Sequence, residues 1–273
     1  MNRRKLFYRL PASARFMLRQ LYYLPNDIFH KLFSSNELYP PKGQIYTGGG
    51  DFIKVGEKFL ELFKKYGQLT PDSSVLDVGS GIGRMAIPLT KYLNKTSRYE
   101  GFDVVEKGVE WCKNNISTKF SNFNFQYVDL HNDLYKSEGE DATSFKFPYE
   151  NNSFELVILI SVFTHMVESE VIHYLSEIHS VLKPGGRCFA TFFIVDEHTS
   201  PSREDFKFDY DKGTYYLMDE KVQSANVAFK LNELKRNAEN VGFDMVYLNR
   251  GHWQNYHSEQ SHDFQDIIVL EKN

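Results

Sequence analysis

The sequence predicts an α/β fold in which a mostly parallel seven-stranded sheet lies between helices. From about residue 74 onward, short apolar runs alternate with segments of helical periodicity, the pattern of a parallel sheet with crossover helices. A turn with three alternating glycines, Gly79, Gly81 and Gly83, follows the first of these runs. The connection between the last two apolar runs is too short for a crossover helix, so we expect these two strands to pair antiparallel.

The part of the chain before the sheet is predicted to be mainly helical. We expect two short helices, over 12–24 and 28–33, separated at Pro25, because proline lacks the amide proton that a helix interior needs. After a loop, a longer helix begins where Asp51 can cap it and ends at Gly67. Its apolar residues recur every three to four positions, so it is expected to pack on the sheet.

The strands and helices of the sheet region follow from periodicity and from turn residues. The continuous apolar run 154–160 is typical of a strand buried on both faces. The amphipathic helix after it ends at Lys183-Pro184-Gly185-Gly186. The predicted elements are strands at 74–78, 99–103, 123–128, 154–160, 187–195, 243–248 and 264–270, and helices at 82–93, 108–116 and 168–182, with a last helix capped by Ser224 whose first core position is Val227.

Length, charge and cysteine content limit the class of protein. The 273 residues suffice for one sizeable α/β domain with an appendage. A formal net charge of −4 gives no general reason to expect a nucleic-acid partner. The two cysteines, Cys112 and Cys188, form no disulfide framework, so a reducing, cytoplasmic location is predicted. No apolar run reaches the roughly 18–20 residues that span a bilayer.

The first residues differ in composition from the rest. Residues 1–31 contain seven lysines and arginines and one acid, Asp27. Three interpretations stay open: a transit peptide, an amphipathic segment that contacts a membrane or an anionic substrate, and a helix packed on the domain with its arginines in solvent. The apolar residues that would pack in the third interpretation are Phe16, Met17, Leu21 and Tyr22. We assign 1–44 to a helical basic extension and 45–273 to the main domain.

Acidic side chains follow three successive predicted strands. Asp77 ends the first strand beside the glycines, Asp103 ends the second, and Asp129 follows the third. Open α/β sheets bind ligands at the carboxyl ends of their strands, where an acid can accept the hydroxyls of a ribose. The glycine turn lets the backbone approach a ligand closely. Together these residues predict a site for a nucleotide-type cofactor.

At these residues the sequence resembles the class I S-adenosylmethionine-dependent methyltransferases. The turn at 77–83 is similar to the first motif of that family. Asp103, the pair Asp129-Leu130, the segment 154–165 and the segment 182–186 are similar to its later motifs, in the same order. The resemblance covers about residues 45–273. It implies a three-layer Rossmann-like fold with an antiparallel last strand, and S-adenosylmethionine as the cofactor.

The resemblance also implies roles for the residues that match. The glycine backbone would lie against the methionine portion and the ribose, Asp77 near the methionine ammonium, and Asp103 at the ribose. Asp129 and Leu130 would contact the adenine, and a loop around Tyr46 would cover the cofactor. The implied cofactor-binding set is Asp77, Gly79, Ser80, Gly81, Gly83, Arg84, Asp103, Val104, Asp129, Leu130, Ser161 and Phe163.

Methyl transfer from a sulfonium is an in-line displacement, so the enzyme chiefly aligns the reacting groups. His165 is the candidate general base, because it follows the fourth strand and imidazole titrates near neutrality. Alternatively, His165 packs on the following helix; Glu168 is a second candidate for the base. His252, His257 and His262 recur at five-residue spacing, which does not make imidazoles converge, so no metal is expected.

The expected activity is methyl transfer to an oxygen or nitrogen nucleophile of a small-molecule, sugar or lipid-linked acceptor, with no nucleic-acid partner. The aromatic insertion at 196–220 and the loop around Trp253 are expected on the acceptor side. Peripheral membrane contact through 1–31 is an alternative to a purely cytoplasmic location. Three other functions remain open: a nicotinamide-dependent oxidoreductase, an aminopropyl transferase, and a non-catalytic S-adenosylmethionine-binding module. The G-x-G-x-G spacing of the turn argues against the first.

Overall fold

The computed structural model describes residues 12–33, 38–46, 48–131, 139–197, 199, 206–254 and 260–273. The strands, in chain order, are β1 (Val75–Val78), β2 (Tyr99–Asp103), β3 (Phe123–Tyr127), β4 (Phe154–Leu159), β5 (Leu182–Phe192), β6 (Ile194–Val195), β7 (Tyr210–Asp211), β8 (Tyr215–Leu217), β9 (Val227–Lys230), β10 (Phe243–Asn249) and β11 (Asp266–Lys272). The α-helices are α1 (Ala12–Phe33), α2 (Phe52–Tyr66), α3 (Ala86–Leu89), α4 (Glu106–Cys112), α5 (Glu168–Val181) and α6 (Leu231–Val241).

Seven strands form the main sheet, in the order β10-β11-β5-β4-β1-β2-β3. Strands β1 to β5 are parallel, and β11 runs antiparallel to both β5 and β10. The predicted seven-stranded sheet with its antiparallel last strand is confirmed. The strand order reverses at β1, because β2 lies on one side of it and β4 on the other. A ligand site is therefore expected beyond the carboxyl ends of these strands.

The sheet is covered on both faces, which makes the fold three-layered. Successive residues of β1 point to opposite faces. Leu76 lies in one apolar cluster together with Leu175 of α5, and Val75 lies in another together with Phe59 of α2. The buried faces of the two helices thus account for the continuous apolar character of the central strands.

A second, smaller sheet is formed by β6, β9, β8 and β7, in that order. Two of its strands, β7 and β8, belong to the described part of the aromatic insertion at 196–220. The prediction that Ser224 caps a helix containing Val227 is wrong, because 227–230 pairs with β8 and β6 and the helix begins at Leu231. A short apolar run fits either periodicity, and here the available strand partners decide.

Four predicted helices have different limits in the structure. The break at Pro25 is wrong, since α1 continues through it. Proline leaves the carbonyl four residues earlier without a donor, but that residue, Leu21, is exposed, so water can satisfy it. The helix predicted at 82–93 is regular only over α3, after a turn in which Gly83 has a φ of 79°. The helix predicted at 108–116 consists of α4 followed by a π-helical turn.

Helix α1 attaches to the domain through polar contacts. The carboxylate of Asp27 accepts hydrogen bonds from the backbone N–H groups of Lys42 and Gly43, at 2.6 and 2.9 Å. A side chain at Gly43 would collide with the backbone of Gln20, so the close approach of α1 requires a glycine there. None of the helices described is both long enough and apolar enough to cross a bilayer.

The interpretation that α1 packs its apolar residues on the domain is wrong. Phe16 does pack edge-on against Tyr46, with ring centroids 5.5 Å apart. Met17, Leu21 and Tyr22, however, are exposed to solvent. Arg15 and Arg19, which were expected in solvent, are only partly exposed and lie on the side of the helix that faces the protein. The division of the chain at residue 44 stays a prediction.

Candidate functional site

A cavity of about 810 Å³ opens at the carboxyl ends of β1, β2 and β4. Its wall includes Asp77 in β1 and Gly79 directly after that strand, Asp103 at the end of β2, and Ser161 after β4. Three segments far apart in sequence therefore meet where the strand order reverses. Cavities of about 300–1,000 Å³ are typical of small-molecule sites.

The glycine turn is fixed by backbone geometry. Gly79 has a φ of 75°, and a Cβ there would lie 2.5 Å from Cγ2 of Val162, so only glycine fits. The N–H groups of Gly79 and Ser80 donate to the carbonyl oxygen of Phe102, at 2.9 and 3.0 Å. Gly79 and Ser80 line the cavity, whereas Gly81 and Gly83 are not among its lining residues and serve to shape the turn.

Asp103 holds the turn in place from the neighbouring strand. Its Oδ2 accepts from the N–H of Gly81 at 2.8 Å, and its Oδ1 accepts from the N–H of Val105 at 2.8 Å and from the hydroxyl of Tyr46 at 3.4 Å. Burial raises the pKa of Asp103 to about 6, although these hydrogen bonds oppose the rise. A further hydrogen bond from the backbone of Val104 also lowers the pKa of Asp103, so the carboxylate is held from several sides at the cavity wall.

Asp77 is a second buried acid at the same end of the sheet. Its Oδ2 accepts a hydrogen bond of 2.5 Å from the hydroxyl of Tyr99. Burial raises the pKa of Asp77 to about 7, a hydrogen bond from Tyr99 lowers it, and the nearby charge of Asp103 raises it further. A cationic group in the cavity would restore the ionised form of Asp77, because opposite charges stabilise each other in a buried site.

His165 lies in a single helical turn, Phe163–His165, and lines the same cavity. Its Nδ1 is 2.7 Å from the carbonyl oxygen of Ser224. Because a carbonyl only accepts, Nδ1 carries the proton, and in the neutral ring the lone pair is on Nε2. Desolvation lowers the pKa of His165 despite hydrogen bonds to the backbone of Ser224 and Ala225, so the ring is neutral at pH 7. Glu168, the second candidate base, instead accepts from Thr214 and Asn237.

Not every predicted site residue lies at the cavity. Besides those already described, the predicted residues that line the cavity are Arg84, Val104, Leu130 and Ser161. The side chain of Asp129 is exposed and is not among the lining residues. Phe163 is fully buried and stacks on Phe192, with ring centroids 4.9 Å apart, so it belongs to the core.

Ser161 has a φ of 61°, a backbone conformation that residues other than glycine seldom adopt. Its N–H donates to Oγ1 of Thr191 at 2.7 Å, and its hydroxyl donates to Oε1 of Gln265 at 2.9 Å. Both partners come from β5 and from the segment before β11. The surrounding structure thus holds this residue in an uncommon conformation at the cavity wall, as is frequent at functional sites.

The structure adds residues that the sequence analysis did not place at the site. Arg15, Phe16 and Arg19 of α1 line the cavity, as does Asn226. The basic composition of the first residues could have indicated arginines at the site. It does not, however, indicate which face of the helix turns toward the cavity. Near them, burial lowers the pKa of the Arg84 guanidinium, the charge of Asp263 raises it, and the charge of Arg19 lowers it.

His252 and His262 are placed in different surroundings. His252 lines the cavity, whereas Nε2 of His262 lies 3.1 Å from the hydroxyl of Tyr66. His257 lies outside the described residues. Within the described ranges, no group of three or more His, Cys, Asp or Glu side chains is placed to hold a metal ion. Trp253 packs with Phe193, Phe206 and Phe208 in a buried aromatic cluster beside the second sheet.

The residues at the cavity fit a nucleotide-type cofactor that carries a positive charge. The two buried acids supply negative charge, and Ser80 presents a buried Oγ with no hydrogen-bond partner among the described residues. The fold and the site together define a cofactor-binding α/β enzyme domain with its ligand at the topological switch point.

Comparison with known proteins identifies the family. Residues 69–217 match a family described as a methyltransferase domain. A curated relative, the ubiquinone/menaquinone biosynthesis C-methyltransferase UbiE of Wigglesworthia glossinidia brevipalpis, is 29% identical over 148 residues, which is 54% of this chain and 52% of that protein. The chain belongs to the class I S-adenosylmethionine-dependent methyltransferases, whose methyl donor is S-adenosylmethionine. This assignment decides against a nicotinamide-dependent oxidoreductase.

Two solved structures are similar in fold. One is the 1,6-didemethyltoxoflavin-N1-methyltransferase of Burkholderia thailandensis with its substrate and S-adenosylhomocysteine, at a TM-score of 0.51 and 15% identity over 97% of this chain and 91% of that one. The other is the [4+2]-cyclase SpnF, at a TM-score of 0.55 and 14% identity over 96% of this chain and 97% of that one. The chain spans about half the length of the curated relatives it matches.

Proposed function

We propose that the protein transfers the methyl group of S-adenosylmethionine to an oxygen or nitrogen nucleophile of a small-molecule, sugar or lipid-linked acceptor. One observation carries this proposal: two buried acids, the glycine turn and His165 all line or border a single cavity. With about 810 Å³, the cavity lies toward the upper end of the range of small-molecule sites, which supports space for a donor and a small acceptor together.

When bound, S-adenosylmethionine supplies an electrophilic methyl group on a sulfonium. Asp77 would pair with the ammonium of its methionine part, and Asp103 would accept a hydrogen bond from a ribose hydroxyl. Val104 and Leu130 provide apolar walls on the adenine side. Asp129 keeps its predicted role at the adenine as a hypothesis, which its exposed position does not support.

On the acceptor side, His165 takes the proton of the nucleophile at Nε2, because its Nδ1 proton is held by the carbonyl of Ser224. The lowered pKa supports this role, since the ring needs no deprotonation at neutral pH. A general base is distinguished from a binding residue by its effect on kcat without an effect on cofactor affinity. His165→Gln should lower kcat strongly while the affinity for S-adenosylmethionine stays within about twofold of the wild type.

The charge of the cavity wall supports an acceptor that carries negative charge. Arg15, Arg19 and Arg84 all line the cavity, and the first two project from α1. Guanidinium groups bind carboxylates and phosphates well, because their donors match the geometry of these anions. The curated relative UbiE bears the name of a quinone C-methyltransferase, so a carbon acceptor is the outcome that would correct the proposed nucleophile.

Calorimetric titration tests the donor site. Wild-type protein is titrated with S-adenosylmethionine, S-adenosylhomocysteine and, as a control ligand, NAD. We expect Asp103→Asn to weaken both sulfur ligands by about tenfold or more, roughly 1.4 kcal/mol. Asp244→Asn, an exposed acid on β10, is the matched control and should bind as the wild type does. Binding of NAD alone would overturn the proposal.

Turnover requires a separate measurement, because a chain of this fold can catalyse another reaction, as the cyclase shows. Methyl-labelled donor is incubated with the protein and with fractionated small-molecule, sugar and lipid extracts, and label in each fraction is counted. Transfer that His165→Gln abolishes supports the proposal. Donor binding without transfer to any fraction would favour the non-catalytic module.

A further inference from the structure

Helix α1 presents its apolar face to solvent, the reverse of an ordinary surface helix. At 3.6 residues per turn, the exposed apolar residues fall within an arc of roughly 160°. They are Met17, Leu18, Leu21, Tyr22, Leu24, Ile28, Phe29 and Leu32, each at least 49% exposed. This apolar stripe extends along most of a 22-residue helix, which is about 33 Å long.

The opposite side of α1 is polar and faces the protein. Asp27 binds the backbone at Lys42 and Gly43, and Arg19 donates from Nε to the carbonyl of Lys42 at 3.3 Å. Arg15 and Arg19 line the cavity. The helix is therefore fixed by its polar face, and this leaves the apolar stripe turned outward beside the cavity.

Exposed apolar surface of this extent marks an interaction site. We propose that α1 docks the protein on an anionic lipid surface, with the apolar stripe in the boundary between headgroups and acyl chains. Amphipathic helices that lie in a membrane interface insert their apolar face about 5–10 Å and carry basic residues beside it. The docking goes beyond methyl transfer and does not depend on it.

Charge decides between a lipid surface and a second copy of the chain. Besides Arg15 and Arg19, which line the cavity, residues 1–31 contain five lysines and arginines against one acid, Asp27. An anionic membrane attracts such a segment by about 1 kcal/mol for each basic residue near the surface. A twofold dimer through the stripe would instead bring two identical basic segments together, because a twofold interface pairs the same surface on both subunits.

Docking through the apolar stripe would also determine where the cavity lies relative to the membrane. Because α1 forms part of the cavity wall, docking would hold the cavity close to the lipid headgroups. The arginines on the inner side of α1 would then lie between the membrane and the buried acids. Among the proposed acceptors, a lipid-linked one with an anionic headgroup fits this placement, a preference that rests on the proposed function.

Vesicle flotation tests the docking. Full-length protein is mixed with vesicles of equimolar phosphatidylglycerol and phosphatidylcholine, or of phosphatidylcholine alone. We expect flotation with the anionic vesicles, at least tenfold stronger partitioning than with the neutral ones, and a decrease at about 1 M salt, where the screening length is about 3 Å. Leu21→Glu/Ile28→Glu should lower partitioning more than tenfold. Val246→Glu, at an exposed apolar position of β10, is the matched control.

A second measurement detects contact with the vesicles directly, without a variant that loses vesicle binding. Leu21→Cys is labelled with an environment-sensitive fluorophore, which is selective because both native thiols, Cys112 and Cys188, are buried. Anionic vesicles should shift its emission to the blue, whereas the label on Val246→Cys should not respond. S-adenosylmethionine titration of every variant reports on the cofactor site separately.

Three outcomes would overturn the docking. One is wild-type protein that stays out of the lipid fraction, and another is equal flotation of the wild type and the double glutamate variant. The third is a dimer, seen by light scattering, that Leu21→Glu/Ile28→Glu dissociates, which would assign the stripe to a second copy. Failure of cofactor binding with intact flotation would contradict the proposed function and leave the docking standing.

Discussion

Two buried acids at the ends of neighbouring strands control the chemistry of the cavity. Asp77 and Asp103 have little access to water, and burial raises the pKa of both. A buried carboxylate without a countercharge favours its protonated form. A cationic ligand reverses that preference, so binding and protonation at this site are linked.

Affinity for S-adenosylmethionine should therefore depend on pH. The pKa of Asp77 is about 7 in the free protein, and pairing with an ammonium requires the ionised carboxylate. Between pH 8 and pH 6 we expect the Kd to rise about tenfold, with release of close to one proton on binding at pH 6. Calorimetry in buffers of different ionisation enthalpy measures both quantities. A Kd that stays constant over this interval would contradict a direct role for Asp77.

The same raised pKa predicts an effect on stability. The folded-state pKa of Asp77, about 7, lies above the ordinary value of 3.8, so the folded state holds the proton more tightly than the unfolded state. The contribution of Asp77 to stability is complete at low pH and is lost as the pH rises through about 7. Ligand-free Asp77→Asn should therefore melt higher than the wild type at pH 8, and this difference should shrink toward pH 4. Thermal scans across this pH interval measure the difference in melting temperature, with Asp244→Asn as the control.

At this scale, the sequence allowed prediction of some site residues and not of others. Asp77, Ser80 and Asp103 follow from the strand and glycine pattern, because backbone geometry at the end of a parallel strand leaves few directions for a side chain. The cavity wall does not include Phe163 or Asp129, because the direction of each side chain depends on local turns that the sequence pattern does not specify. Arg15 and Arg19 were missed because no periodicity tells which face of a helix meets a distant cavity.

At the scale of elements, the attachment of α1 depends largely on one side chain. Asp27→Ala removes two acceptors for the N–H groups of Lys42 and Gly43. The loss should cost α1 about 1.4 kcal/mol of local stability, or about tenfold faster hydrogen exchange of its amides. Asp219→Ala is the matched control, because Asp219 also accepts from two backbone N–H groups but within its own turn. Unchanged exchange in α1 would show that apolar contacts hold the helix instead.

For most strands of the main sheet, the predicted limits lie within a few residues of the observed ones. This agreement follows because a buried parallel strand needs an uninterrupted apolar run. Helix α1 and strand β9 show where this reasoning fails. Pro25 is tolerated where the carbonyl it leaves without a donor is exposed, and Val227 joins a sheet whose other strands come partly from the polar insertion. Both outcomes depend on tertiary surroundings rather than on local pattern.

At the scale of the whole molecule, Asp266 joins the main sheet to the second sheet. Its carboxylate accepts from the N–H groups of Ile194 and Gly251 and from the indole Nε1 of Trp253, at 2.7, 2.9 and 2.7 Å. Asp266→Ala leaves three buried donors without an acceptor, so we expect unfolding free energy to fall by about 3 kcal/mol or more. Urea denaturation with Asp244→Ala as control measures this. A loss below about 1 kcal/mol would show that water replaces the carboxylate.

Strand β11 lies between β5 and β10, and its residue Asp266 is paired with Phe192, far away in the chain. Closing so long a loop costs entropy before any strand contact repays it, so this pairing is expected to be among the late events of folding. Until it forms, β5 has an open edge that can recruit strands from other chains. Recombinant protein cut before residue 266 should therefore accumulate as aggregates, and refolding yield should depend on protein concentration more than on the presence of cofactor.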